Sequence, residues 1–429
     1  MLSSEAVDVL IVGAGHAGVQ TAIGLRRENF AGSILIIGDE HDLPYERPPL
    51  SKGYLSGGKT FDQILLRSAD FYAARGVRLR LGARVDRIDP AEHRAHLGDG
   101  TTIAYRSMVW ATGGRPRRLS CPGGDLPGVY AVRTRTDVDR LRSALPTVGE
   151  TVIIGGGYIG LETAAVLRKL GKTVTVVEAQ DRVLARVAGA PLSRFYEEEH
   201  RRRGVVFHLG AQVSRLEERG GRVAGVRLAD GEFLPADAVL VGIGIVPEVG
   251  ALEGTGARCS DGVEVDEFCR TSLADVFAVG DVARHQNKYS CTGSVRIESV
   301  QNASDQAATV ARYLAGRPAA HDVVPWFWST QFDLRLQTVG LSAGFEDMLV
   351  RGDPAERSFS VIYLRQGRVV ALDCVNAARD YVQGKSLIVS RRMVDRLRLT
   401  DVTTPLKELA EESDTRAALS AAIDAPSPS

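Results

Sequence analysis

Two glycine loops, about 140 residues apart, carry the residue types and spacings most suited to chemistry in this chain. The first follows the apolar run Val9-Leu10-Ile11-Val12 and reads Gly13-Ala14-Gly15-His16-Ala17-Gly18. The second follows Thr151-Val152-Ile153-Ile154 and reads Gly155-Gly156-Gly157-Tyr158-Ile159-Gly160. In such a loop the first glycine (Gly13, Gly155) permits a tight turn. The second (Gly15, Gly157) lets backbone approach a pyrophosphate, and the third (Gly18, Gly160) lets helix and strand pack closely. The helix that follows turns N–H groups and about half a positive charge toward the phosphates. About twenty residues after each last glycine stands an acid. Asp39 or Glu40 is placed to accept hydrogen bonds from an adenosine ribose. Glu178 is placed to hold both ribose hydroxyls of a second dinucleotide and to repel a 2′-phosphate, which favours NAD over NADP. Arg182, four residues on, is placed to soften that repulsion. Two dinucleotide sites in one polypeptide imply electron transfer between dinucleotides.

Further residues fit that chemistry. Lys52 follows the proline-stiffened loop Pro44-Tyr45-Glu46-Arg47-Pro48-Pro49-Leu50-Ser51. A ring that accepts hydride becomes electron-rich, and a fixed cation about 4 Å away at an effective dielectric near 20 is worth about 4 kcal/mol. Glu162, just inside the second helix, is placed either to pair with Lys52 or to meet a nicotinamide. Asp281 ends an apolar strand, where a carboxylate suits the hydroxyls of a ribityl chain, and the segment after it can aim a helix N-terminus at the same cofactor. Trp326 and Trp328 read from spacing alone as core or interface residues, and His16 as loop lining. The five cysteines, Cys121, Cys259, Cys269, Cys291 and Cys374, contain no C-x-x-C pair, so dithiol relay chemistry has no support. The eight histidines show no metal spacing, and no metal site is expected.

The elements that must position these residues follow from hydrophobic period. Residues 8–40 read as strand, glycine loop, helix (17–25) and strand (33–37); residues 151–178 repeat the pattern, with a helix over 160–170 and a strand over 173–177. Residues 109–114, 238–243 and 276–281 read as further strands, and a helix runs from 297–300 to about 316. After Pro318 alternation takes over, giving antiparallel strands at 335–339, 359–364 and 369–372 and helices near 381–397. Residues 411–429 are small and polar and are expected to be a disordered tail. At 429 residues, with 44% hydrophobic and 25% charged, this is the composition of an ordinary globular protein of two or three domains. Lysine plus arginine equals aspartate plus glutamate at 53 each, which disfavours nucleic acid or an anionic membrane as the main partner. No apolar stretch has membrane-spanning length and no signal peptide is evident, so a reducing cytoplasm is expected. The fold class expected is α/β: two Rossmann-like dinucleotide-binding domains plus a smaller C-terminal α+β domain.

The motifs together are similar to the FAD-dependent, NADH-using ferredoxin reductases of bacterial oxygenase systems, within the pyridine nucleotide-disulfide oxidoreductase superfamily. The points that carry the resemblance are the two glycine loops, Arg47-Pro48-Pro49-Leu50-Ser51-Lys52, Ala111-Thr112-Gly113-Gly114-Arg115-Pro116, Val279-Gly280-Asp281, Arg296-Ile297-Glu298-Ser299-Val300 and Pro325-Trp326-Phe327-Trp328-Ser329. The resemblance implies a glutathione-reductase-like fold with a discontinuous FAD domain (1–115 and 245–324), an NAD domain (116–244) and a C-terminal domain (325–410). It implies FAD contacts at Ala17, Asp39, Lys52, Val85, Arg133, Asp281 and Val300, and NADH contacts at the Gly155 loop, Glu162, Glu178 and near Gly244. It also moves Trp328 to the flavin site. Related peroxidases and oxidases carry a redox cysteine where this chain has Lys52. The implied partner is a 2Fe-2S ferredoxin serving a cytochrome P-450 or a dioxygenase, with Arg67, Lys385, Lys407 and the Arg391-Arg392 pair as candidate docking cations and the protein a monomer or weak dimer. The alternatives are a rubredoxin-, monodehydroascorbate- or nitrite-linked reductase, and a redox interaction protein resembling apoptosis-inducing factor.

Overall fold

A computed structural model describes residues 4–411; the predicted tail lies, beyond Glu411, outside the described residues. The chain forms two compact units, Met1–Asp333 and Leu334–Ser429. Among the described residues no helix is long and apolar enough to cross a membrane.

In the first unit, strand Ser4–Val12 pairs in parallel with Ile34–Ile37 on one side and Thr102–Trp110 on the other. Val77–Arg80 and Val276–Ala278 extend this parallel sheet at its two sides. Val9 and Ile11 pack into one core cluster with Ala22 and Leu25 of the helix His16–Arg27, while Val7, Leu10 and Val12 pack into another with Met108 and Trp110. A strand buried on both faces has no solvated side to fill with polar residues, which is why the run before the glycine loop is apolar throughout. The same arrangement recurs in the order Val205–Leu209, Thr173–Glu178, Glu150–Ile154, Ala238–Val241 and Val129–Tyr130, all parallel.

Each parallel core carries a three-stranded antiparallel meander. The first comprises Val85–Asp89, Arg94–Leu97 and the start of Thr102–Trp110; the second Val213–Arg219, Arg222–Leu228 and Phe233–Pro235. The sequence reading does not anticipate these short, charge-rich strands, because ladder pairing rather than an apolar run defines them. Two further strands, Gly114–Pro116 and Ile245–Pro247, pair antiparallel where the chain leaves the first parallel core and returns to it. Beside them the Trp110 indole and the Thr112 hydroxyl both donate to the Glu248 carbonyl, at 2.9 and 2.8 Å.

The second unit is an antiparallel sheet of Leu334–Gly340, Arg368–Val375, Ser358–Arg365 and Asp347–Asp353 in that order, with the helix Ala378–Ser390 packed on it. The helices expected near 381–397 are two: Ala378–Ser390 ends where Arg391 takes the left-handed conformation (φ 52°), and the short helix Arg396–Thr400 starts after Asp395 caps the Leu397 and Arg398 N–H groups. Strand Asp347–Asp353, absent from the sequence reading, carries the buried Arg351. Its guanidinium donates to Asp380 and to the carbonyls of Leu399 and Asp401, fixing the segment after the helix.

Asp373 lies at the centre of this sheet, 1% exposed, and accepts from Tyr363 Oη at 2.5 Å and Thr338 Oγ1 at 2.6 Å. Burial pushes its carboxyl up to about 6, against the two hydroxyl donors. A raised acid means that the folded state binds the proton more tightly, so stability falls as pH rises from about 4 to about 6 and the loss is complete above that, on the order of 3 kcal/mol. In Asp373→Asn the melting temperature, taken relative to wild type, should therefore climb from pH 4 to pH 6 and be flat above. A difference that does not change with pH would show that Asp373 is ionised throughout.

Candidate active site

Both glycine loops open into one cavity of about 470 Å³ in the first unit. Gly13, Gly15, Ala17, Asp39, Lys52, Val85, Arg133, Gly157, Glu162, Glu178, Gly244, Asp281, Val300 and Trp328 line it; Gly18, Gly155 and Gly160 stand behind the lining. The division follows from the backbone. Gly13 (φ 115°) and Gly155 (φ 110°) make the turn in a conformation that favours glycine, and a Cβ there would meet the Ala111 or Gly242 carbonyl oxygen at 2.2 or 2.4 Å. A Cβ on Gly18 or Gly160 would sit 2.0 or 2.1 Å from the carbonyl oxygen of Gly13 or Gly155. A Cβ on Gly15 or Gly157 would meet no protein atom within 4 Å. These two face the cavity as the N-caps of His16–Arg27 and Tyr158–Lys169, and neither helix receives a side-chain capping bond. Open space beside helix N–H groups is the cradle that a pyrophosphate needs.

The two acids differ in how they are held. Glu40 is engaged by Tyr45 Oη (2.5 Å) and the Arg47 guanidinium (2.7 Å), whereas Asp39 lines the cavity exposed and with no side-chain partner among the described residues. Of the two ribose acceptors read from the sequence, Asp39 is the one left free. Glu178 accepts from Gly156 N at 2.6 Å and Gln180 N at 2.9 Å, which fixes its carboxylate beside the second loop. Arg182 turns away from the cavity: its guanidinium donates to the Ala188 carbonyl and Ser193 Oγ, both at 2.7 Å. Its N–H donors are spent on these neutral groups and none is free at the cavity wall. Arg186 lines the cavity in its place.

Lys52 and Glu162 meet: Nζ stands 2.5 Å from Oε2, and Ser51 Oγ donates to the same oxygen at 2.6 Å. Ser329 Oγ donates to Oε1 at 2.7 Å. Both line the cavity, but the Glu162 side chain is 2% exposed and that of Lys52 23%, so the ammonium is the more open of the two. The sequence reading left open whether Glu162 pairs with Lys52 or meets a nicotinamide; the geometry pairs it.

Opposite, Asp281 lies 3.6 Å from the Arg133 guanidinium, and Arg47 donates to the Arg133 carbonyl at 2.7 Å. Burial, with Arg47 nearby, holds Arg133 below its ordinary value and pushes the His16 imidazole down to about 4. His16 is thus a neutral lining residue at pH 7. Val300 begins the helix Val300–Leu314, whose N-cap Ser299 accepts from Asn302 N at 3.1 Å; both residues line the cavity. Trp328 lines it from strand Trp326–Gln331. None of the five cysteines does.

Sequence reasoning passed over Tyr45 and Arg47 as site residues, and over Ser51, Ser329 and Arg186. The first three stood inside the quoted proline loop, and Ser329 directly after Trp328; their partners are 5 to 167 residues away, and spacing does not report that. Among the candidate docking cations, Arg67, Lys385, Arg391 and Lys407 are exposed and Arg392 is half-buried.

Comparison with known proteins agrees in family and fold. Residues 7–307 match the family model described as pyridine nucleotide-disulphide oxidoreductase, and residues 326–410 match the one described as reductase C-terminal. The chain is 57% identical over 403 residues, 94% of its length and 98% of the relative's, to the ferredoxin reductase subunit of 5,5′-dehydrodivanillate O-demethylase from Sphingobium sp. (strain NBRC 103272 / SYK-6). Among solved structures, the ferredoxin reductase for the CYP199A2 system of Rhodopseudomonas palustris superposes with a TM-score of 0.91 at 40% identity, covering 94% of this chain and 99% of that one. The reductase in the covalent putidaredoxin reductase–putidaredoxin complex does so with 0.90 at 39% identity, covering 98% and 99%.

The glycine geometry separates binding from folding. Gly15→Ala should leave the melting temperature of the cofactor-free protein unchanged while weakening dinucleotide binding on the order of 10-fold. Gly18→Ala should destabilise the protein by about 1–3 kcal/mol. Equal losses of melting temperature in the two variants would refute the division.

Proposed function

The chain belongs to the pyridine nucleotide-disulphide oxidoreductase family, and on that footing we propose that it is an NADH-dependent FAD flavoprotein reductase. Its electrons go to a 2Fe-2S ferredoxin that serves a cytochrome P-450 monooxygenase or a ring-hydroxylating dioxygenase. The observation that carries this reading is the single cavity onto which both glycine loops open, with the Lys52–Glu162 pair in its wall and no cysteine. Two dinucleotides are brought together there, and the exit for electrons cannot be a disulfide. The relatives named as ferredoxin reductases support the choice of acceptor.

In this reading residues 1–115 and 245–324 form the FAD domain, residues 116–244 the NAD domain and residues 325–410 the C-terminal domain. The paired strands Gly114–Pro116 and Ile245–Pro247 mark the crossing between the first two. The residues fit FAD: Gly15 and the uncapped helix behind it leave room and N–H donors for a pyrophosphate, Asp39 has a free carboxylate for ribose, and Asp281 stands at the opposite wall. Gly13, Ala17, Lys52, Val85, Arg133, Val300 and Trp328 complete that seat. Gly157, Glu162, Glu178 and Gly244 face NADH. Bound FAD supplies hydride acceptance and release of single electrons. Lys52 places a positive charge against the wall where negative charge develops, and Glu162 keeps that ammonium in place. Glu178, fixed by two backbone N–H groups, with the Arg182 donors spent on other residues, selects against a 2′-phosphate. Arg67, Lys385, Lys407 and the Arg391-Arg392 pair are the cations offered to an acidic ferredoxin. A reducing cytoplasm fits the five unpaired cysteines, and a monomer or weak dimer is the assembly proposed with it.

A turnover panel tests the function: NADH with several purified 2Fe-2S ferredoxins and a rubredoxin, ranked by kcat/KM. A ferredoxin should lead. A rubredoxin in first place, or a reduced flavoprotein that persists for minutes with every ferredoxin present, would overturn the reading. Lys52→Ala should slow flavin reduction by NADH about 10-fold or more while changing NADH affinity less. Unchanged reduction kinetics would remove Lys52 from the mechanism. Glu178→Ala should narrow the preference for NADH over NADPH by about 10-fold in kcat/KM; an unaltered ratio would show that Glu178 is not the reader.

A further inference from the structure

Behind Glu162 a line of polar side chains continues into the protein. Gln331 Nε2 donates to Ser329 Oγ at 3.3 Å, and Gln331 Oε1 lies 2.8 Å from His200 Nε2. Ser329, Gln331 and His200 are each fully buried. His200 belongs to the helix Ala190–Arg202, and its ring sits edge-on to Phe332 (4.9 Å) and Phe207 (6.1 Å). The line therefore ties three separate elements together: that helix, the strand carrying Trp328 and the helix carrying Glu162.

The direction of every hydrogen bond in the line is forced from one end. A carboxylate only accepts, so the Ser329 proton goes to Glu162. Ser329 Oγ must then accept from the Gln331 amide nitrogen, which turns the amide oxygen to His200. His200 must donate from Nε2. Its Nδ1, buried and without a hydrogen-bond partner, is left with a bare lone pair. The charged neighbours, Glu199 on the same helix and Arg203 just past its end, act on the ring in opposite directions, and burial pushes the imidazole down to about 4. A neutral ring with its proton on Nε2 is the form that satisfies the line.

We propose that His200 is a positioning residue: through Gln331 and Ser329 it holds Glu162 Oε1, which leaves Oε2 to seat Ser51 and Lys52, and so fixes the Lys52 ammonium at the cavity wall. The proposal rests on the redox role given above to Lys52. Nothing in the line touches the cavity except Glu162. Gln331 does not pass protons readily, so the line orients rather than relays.

Two arms test it on the FAD-loaded protein. In the first, ¹⁵N NMR of histidine-labelled protein should show His200 as the Nε2–H tautomer from pH 8 to pH 5. In Gln331→Met that tautomer should lose its dominance. A dominant Nδ1–H tautomer in wild type, or a signal that Gln331→Met leaves unmoved, would overturn the proposal. In the second, His200→Phe keeps the ring packing and removes the donor, while His200→Gln restores a donor of similar reach. His200→Phe should lower the limiting rate of flavin reduction by NADH about 10-fold with NADH affinity changed less than about twofold, and His200→Gln should recover most of the rate. A wild-type rate in His200→Phe, or equal losses in both variants, would overturn it. Were NADH unable to reduce the wild-type flavin, the functional reading would fall, and the tautomer arm would still decide whether the line is built as described.

Discussion

A carboxylate sealed from water is the constraint around which the cavity is organised. Glu162 is 2% exposed and accepts from Lys52, Ser51 and Ser329 at 2.5, 2.6 and 2.7 Å. An ionised carboxylate buried without such partners is strongly destabilising, by several kcal/mol. The proline loop, the helix after the second glycine loop and the strand carrying Trp328 are therefore fixed together by one charge. Displacing any of the three would strip a partner from it. The stiffness of the proline loop acts in the same sense: Lys52 has a long flexible stem, and the short 3-10 turn over Pro48–Ser51 holds its backbone in place with little entropy left to lose.

Around that pair the molecule uses one device twice. Each parallel core ends in a glycine turn whose first and third glycines are in contact with backbone and whose second is open, and each is followed by a helix with no side-chain cap. What differs lies at the strand ends. Asp39 stands free while its neighbour Glu40 is held by Tyr45 and Arg47; Glu178 is pinned by Gly156 and Gln180. Two loops alike in form thus present different electrostatic faces, an exposed carboxylate without a side-chain partner among the described residues at one and a carboxylate held by two backbone N–H groups at the other.

Much of this was legible in the sequence where the physics is local. A strand covered on both faces must be apolar, a turn with positive φ favours glycine, and an acid at a strand end follows its glycine loop at a regular distance. Those signals located both parallel cores and both loops, and they narrowed the acids to Asp39 or Glu40 after the first loop and Glu178 after the second. The unread parts are those set by partners far along the chain. Ser51 and Ser329 meet Glu162 across 111 and 167 residues, and Arg182 looks available until Ala188 and Ser193 are seen to hold it. The two meanders mix buried and exposed positions without a regular period, as in Val85-Asp86-Arg87-Ile88 and Val213–Arg219, and so have no apolar run to announce them. In the second unit the buried Arg351 guanidinium holds the carbonyls of Leu399 and Asp401 from a strand that was itself unrecognised.

Net charge read for the whole chain leaves room for a local basic patch. Equal numbers of acidic and basic residues give no long-range field, yet at physiological ionic strength fields between exposed charges fade within about 8 Å, so a docking partner responds to a patch and not to the total. The first unit has such a patch. A hollow beside Phe71 is lined by Arg26, Arg27, Arg67 and Arg75 and by no carboxylate. Arg26 is committed to the carbonyls of Phe30, Gly32, Arg75 and Gly76, and Arg75 lies over the Phe71 ring at 3.7 Å. The committed arginine and the ring fix the backbone and one guanidinium. Arg67, 5.3 Å from the same ring, is then presented to solvent on a stiff support. Less conformational entropy is lost when a partner's carboxylate meets a guanidinium already held than when it meets a lone lysine stem, and in the function proposed above that favours Arg67 among the docking cations.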